Sequence, residues 1–132
     1  VRFTDVRVPH SAIFGGEGKG LAVTQMFFNN QHYFRYLETC REEGIAVPVI
    51  PGLKILTSQK QLSTLPKTFF VEIPDAFAEE VMAAKPEHVV DIGVEWALKQ
   101  SRELLDRGAP SLHYYVMQSA NAVKKLMAKL KI

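Results

Sequence analysis

From position 21 onward the apolar residues switch repeatedly between alternation and helical spacing. Leu21 to Phe28 reads Leu-Ala-Val-Thr-Gln-Met-Phe-Phe, a β-branched and aromatic run that stops at Asn29-Asn30. As a strand it sets Leu21, Val23, Gln25 and Phe27 on one face and Ala22, Thr24, Met26 and Phe28 on the other. Neither face is plainly polar, which is the pattern of a strand covered on both sides in a parallel sheet. Asn29 or Asn30 caps a predicted helix carrying Tyr33, Tyr36, Leu37 and Cys40 on one face and ending at Gly44. The next strand lies within Ile45 to Leu53, regular from Val47, with Pro48 and Pro51-Gly52 confining its ladder to a few residues.

Thr57 and Ser58 offer caps for a short helix through Leu65, closed by Pro66, and Ser58 with Gln61 has capping-box spacing. Phe69 to Ile73 is extended, and Pro74 suits the first turn of a helix over Asp75 to Ala84. Past Pro86 a long helix places Val90, Val94, Ala97, Leu98, Ser101, Leu104 and Leu105 at helical spacing until Gly108 and Pro110, with Trp96 as packing. Leu112 to Met117 is the last strand, and Ser119 caps a final helix bearing Ala122, Val123, Leu126, Met127 and Leu130. Strands alternating with helices predict an α/β fold of parallel strands joined by right-handed crossovers, as an open doubly wound sheet or as part of a barrel. Both architectures bind ligands at the carboxyl ends of the strands.

Composition narrows the classes. The 132 residues, 47% hydrophobic and 23% charged, suit one soluble domain with a real core. Net charge is only +2. Lys124, Lys125, Lys129 and Lys131 are spread along the final amphipathic helix as a solvated face, so no nucleic-acid or membrane role is expected. Cys40 is the single cysteine, which rules out an internal disulfide, and no Cys/His spacing suits a metal. A cytoplasmic setting is expected. No apolar run approaches a membrane span, Arg2, Asp5 and Arg7 interrupt any signal-peptide core, and a chain opening at Val1 reads as a piece of something longer.

Two amides are the candidate chemistry. Burying a carboxamide without partners costs about 1–3 kcal/mol, so Gln25 either bonds neighbouring backbone or points toward something the sheet holds. For Gln61 the capping box competes with a ligand role. Gly15-Gly16-Glu17-Gly18-Lys19-Gly20 lacks the Ser or Thr that a phosphate loop has after its lysine and precedes a strand, so it reads as a connector. With Phe3-Thr4-Asp5-Val6-Arg7-Val8-Pro9 before it, residues 1–20 resemble a joining segment of acyl-CoA dehydrogenases that holds no catalytic position. Val1 to Val8 is expected to be a loose edge strand or disordered.

Val23-Thr24-Gln25-Met26-Phe27-Phe28, Val49-Ile50-Pro51-Gly52-Leu53 and Leu112-His113-Tyr114-Tyr115, in that order and spacing, with Gly93-Val94-Glu95-Trp96 between the last two, resemble the C-terminal part of methylenetetrahydrofolate reductases. The resemblance covers residues 21–132 and implies the last βα units of an eight-stranded TIM-type βα barrel, incomplete in this chain. It implies a flavoprotein oxidoreductase of one-carbon metabolism, with FAD carrying hydride from NADH or NADPH to 5,10-methylenetetrahydrofolate. It implies that Gln25 contacts the folate and the nicotinamide, that Gln61 is a second folate contact, and that Leu65 and Tyr115 pack around the ligands. The family's catalytic glutamate, its flavin-side aspartate and most FAD-binding residues lie upstream of the resemblance, so no catalytic residue is assigned to this chain. Where the family often has Asn-Arg after the last strand, this chain has Gln118-Ser119. The expected partners are the folate substrate and either a second copy or the missing half of the barrel. Two other readings stay open: a non-catalytic barrel fragment in which both glutamines are structural, and a relative of the acyl-CoA dehydrogenases.

Overall fold

The computed structural model describes residues 22–117 and 119–130. Leu21 and the dehydrogenase-like residues 1–20, with their predicted strand and connector, lie outside the described residues. Three strands, β1 (Ala22–Phe27), β2 (Val49–Leu53) and β3 (His113–Tyr114), form one sheet in that order, and both pairings are parallel. Helix α1 (Asn30–Glu42) joins β1 to β2. Helices α2 (Gln61–Phe69), α3 (Asp75–Ala83) and α4 (Val89–Asp106) join β2 to β3, and α5 (Asn121–Leu130) follows. The α/β class and the three adjacent parallel strands are those the alternating pattern predicts.

Helix α1 starts where its cap allows: Asn29 has extended backbone and its Oδ1 accepts from the Gln31 N–H at 3.0 Å. It ends at Gly44, whose φ of 77° lets the Ile45 N–H return to Cys40 O at 2.8 Å. The buried stripe is Tyr33, Phe34 and Cys40, with Leu37 half-buried. Tyr36, predicted on that stripe, is instead 51% exposed. The stripe is rotated toward Phe34, whose ring lies against the sheet with the Arg107 guanidinium stacked over it at 3.6 Å. Cys40 is a core residue, as predicted.

Pro66 does not close α2, contrary to expectation. Pro66 is the sixth of the nine helix residues, so its missing donor costs one bond within the ladder, and the Phe70 N–H reaches Pro66 O at 2.9 Å to cap the far end. Burial of Leu65, with Leu62 and Phe69 packed on the same core, offsets that loss. β3 is also shorter than Leu112 to Met117. The Tyr115 N–H still bonds Leu53 O at 2.8 Å, but the Lys54 Nζ takes Tyr115 O at 3.2 Å, and Val116 and Met117 turn outward.

On one face of the sheet Phe27, Val49 and Leu53 pack against Tyr33 and Phe34 of α1 and Leu104 of α4. Past the carboxyl ends of β1 and β2, Met26, Phe28 and Leu56 meet Leu65 of α2, Phe77 and Val81 of α3 and Val89. Trp96 is packing there, as predicted: its ring stacks on Phe77 at 4.6 Å, and its Nε1–H donates to Phe28 O at 3.2 Å. The expectation that β1 is covered on both sides fails. Val23, Gln25 and His113 are exposed, because the described helices that pack on the strands contact Phe27, Val49 and Leu53 instead. Two lysines of the final helix are not simply solvated, since Lys125 pairs with Asp91 at 2.9 Å and Lys129 pairs with Glu95, tying α5 to α4.

Candidate ligand site at the strand ends

The site begins with a proline in the middle strand. β1 and β2 pair Val23 with Ile50 and Met26 with Gly52, so Thr24 and Gln25 together oppose Pro51. Proline has no N–H to give the ladder, and the pairing answers with a bulge, one extra residue in β1 that redirects a side chain. The Gly52 N–H donates to the Thr24 hydroxyl at 2.8 Å, in place of a backbone carbonyl. Thr24 O, freed from the ladder, accepts from the Tyr115 hydroxyl at 2.9 Å. Tyr115 thus spans the sheet and fixes the peptide that carries Gln25.

Gln25 is exposed and its amide Nε2 donates to Phe69 O at the end of α2. It sits in a cleft of about 430 Å³ with Met26, Phe69, Tyr115, Val116 and Met117. A second cleft of about 520 Å³ adjoins it, sharing Phe69 and Met117, and includes Gln61, Leu65, Lys54, Thr57 and Thr64 in its lining. The four site residues named from sequence therefore divide into two pairs, Gln25 with Tyr115 and Gln61 with Leu65, on two connected clefts at the carboxyl end of the sheet.

Gln61 has structural work to do. Its Oε1 accepts from the Thr57 N–H at 2.7 Å and lies 3.3 Å from the Thr57 hydroxyl, closing the start of α2. The predicted Ser58 capping box is displaced by one residue, because the turn bonds begin at Ser58 O and the Thr57 N–H is the donor left over. The amide nitrogen of Gln61 makes no hydrogen bond among the described residues, so that end is available to a ligand.

Lys54 was not singled out in the sequence. It directly follows β2 and is 7% exposed, with its Nζ on Tyr115 O and burial pulling its pKa below the usual lysine range. The available signal was a lysine inside the apolar run Leu53-Lys54-Ile55-Leu56, where a charge requires a reason. Thr24 and Phe69 are the other missed residues. Their roles depend on a backbone bulge and a helix end that no residue pattern announces.

Open α/β folds of parallel strands place ligands outside the carboxyl ends of the strands, and that is where these two clefts lie. The sequence model of the methylenetetrahydrofolate reductase family matches residues 16–131. The chain belongs to that family. It is 29% identical over 116 residues to a probable methylenetetrahydrofolate reductase (NADPH) of Caenorhabditis elegans, covering 86% of this chain and 18% of the relative. It is 29% identical over 128 residues to methylenetetrahydrofolate reductase 1 of Schizosaccharomyces pombe, covering 96% and 21%. To the 5,10-methylenetetrahydrofolate reductase of Pectobacterium carotovorum it is 27% identical over 105 residues, covering 78% and 35%. The chain thus spans well under half the length of each of these curated relatives. Among the described residues no helix is long and apolar enough to cross a membrane.

Proposed function

We propose that this chain supplies the folate and nicotinamide side of a methylenetetrahydrofolate reductase, an FAD-containing βα barrel that reduces 5,10-methylenetetrahydrofolate to 5-methyltetrahydrofolate with NADH or NADPH. Residues 21–132 are read as its C-terminal βα units and residues 1–20 as a separate connector. The observation that carries the proposal is the bulge opposite Pro51, which sets Gln25 at the mouth of the clefts under the grip of Tyr115.

A carboxamide presents one acceptor and two donors, which suits the mixed edge of a pterin or the amide of a nicotinamide. Gln25 can offer both kinds of group by releasing Phe69 O. Met26, Phe69, Tyr115, Val116 and Met117 give flat rings apolar cover and exclude water. Gln61 offers its NH₂ and Leu65 an apolar wall in the adjoining cleft. Bound FAD would carry hydride from the nicotinamide to the folate. The Gln25 cleft fits a ring, but its lining has no cation among the described residues for a pyrophosphate, so FAD's phosphates are assigned to other parts of the barrel.

Two consequences can be read from one experiment. Three parallel strands do not close a barrel, and the face bearing Val23 at 42% exposed and the edges of β1 and β3 invite a partner, either a second copy or the rest of the barrel. Gel filtration of the full 132-residue chain is expected to yield a dimer or larger species without flavin absorbance and without NADH-driven dye reduction. A compact monomer that retains about one flavin per chain would contradict the assignment.

A further inference from the structure

Of the described side chains lining the larger cleft, only Lys54 is charged; the rest are hydroxyl, amide or apolar groups, among them Thr57, Gln61, Thr64, Ser119 and Asn121. Lys54 is 7% exposed, yet among the described residues its Nζ makes a single hydrogen bond, to Tyr115 O at 3.2 Å. No carboxylate among the described residues lies within ion-pair distance of it. An ammonium has three donors, and a buried cation left with one partner is costly unless an anion completes the site. Burial is also the cause of its lowered pKa.

Position adds to chemistry. Tyr115 gives its carbonyl to Lys54 and its hydroxyl to the bulge beside Gln25, so one residue joins the two clefts. A ligand with its flat ring at Gln25 that extends past Phe69 and Met117 reaches the cleft Lys54 lines. Folate has that shape and charge: a pterin at one end, a benzoyl bridge, and a glutamate at the other. A nicotinamide dinucleotide also offers an anion. Its doubly charged pyrophosphate, however, ordinarily calls for several backbone donors or more than one cation, and the described residues of this cleft offer a single ammonium.

We propose that Lys54 binds a carboxylate of the folate glutamate and so selects for the tail of the substrate; this rests on the folate reading above. Titration of the full chain with folate and with pteroate, which has the same ring system but ends in a benzoate carboxylate short of the position of the glutamate, tests it, with 6-methylpterin as the comparison that carries no carboxylate. The unmodified chain is expected to prefer folate, and Lys54→Met is expected to lower folate affinity about ten- to hundredfold, the value of one charge-assisted hydrogen bond, with pteroate unchanged. Lys54→Arg should restore most of the preference. Thermal melts of Lys54→Met should show no loss of stability, since the variant removes a buried charge and keeps the stem's volume; a lower Tm with equal losses for both ligands would mean a structural lysine and overturn the proposal. A folate-to-pteroate ratio unchanged by Lys54→Met would overturn it while leaving the folate reading intact. Loss of NADH affinity alone in the variant would reassign the site to a phosphate. Failure of both folate and pteroate to bind the unmodified chain would overturn the folate reading, and Lys54 with it.

Discussion

Gly93→Ala is expected to destabilise the fold by about 3 kcal/mol, one of the largest effects available to a single methyl group here. A Cβ at position 93 would lie 2.0 Å from Leu56 O and 3.0 Å from its carbonyl carbon. Both are backbone atoms of a residue with no exposed surface, so no side-chain rotation relieves the clash. Alanine is the better helix former by about 1 kcal/mol, and in an exposed helix that term would decide. Here the overlap decides, because α4 must withdraw from Leu56 and open the cluster of Val81, Val89 and Phe77 beside it. Urea unfolding is expected to show a lower midpoint at similar slope. A midpoint equal to or above that of the unmodified chain would mean that α4 does not approach Leu56 this closely.

Gly52→Ala is expected to cost about 2–3 kcal/mol and to disturb the site as well as the fold. The added Cβ would meet Thr24 O at 2.3 Å, Tyr115 Cε2 at 2.7 Å and the Gln25 carbonyl carbon at 3.3 Å. Those atoms make up the bulge and its lock. Displacing Thr24 O breaks the Tyr115 bond, and Gln25 moves with it. Tyr115→Phe separates the two effects, since it removes only the hydroxyl and should cost about 1 kcal/mol. If Gly52→Ala were no more damaging than Tyr115→Phe, in denaturant midpoint and in ligand binding alike, the close packing of the bulge would be refuted.

Much of this arrangement was legible in the sequence because local rules and tertiary context agree. The Asn29 cap, the Gly44 stop and the alternating run before them place β1 and α1 to within about two residues. The parallel order of the strands follows from helices long enough to cross over. What the pattern misjudged depends on partners elsewhere in the chain. Whether β1 is covered on one face or two is a property of its neighbours, so Gln25 looked buried and is exposed. Pro66 obeys its local rule only if the helix has no packing reason to continue, and Leu65 and Phe69 supply that reason. β3 ends early because Lys54, sixty-one residues away, takes its carbonyl. Pro51 was read as a limit on the ladder; its further consequence, a bulge in the neighbouring strand that aims Gln25, appears only once the register is known.

The most direct measurement of the central claim is Gln25→Ala in a complete reductase carrying these residues, with flavin content, folate kinetics and nicotinamide kinetics determined on the same preparation. Gln25 is assigned to the ligand side of the cleft, so FAD content should stay at the unmodified level. kcat/KM for methylenetetrahydrofolate and for NADH or NADPH should both fall about ten- to hundredfold, as for loss of a hydrogen-bonding amide. Loss of flavin from the variant, or unchanged kinetics with both substrates, would contradict the account.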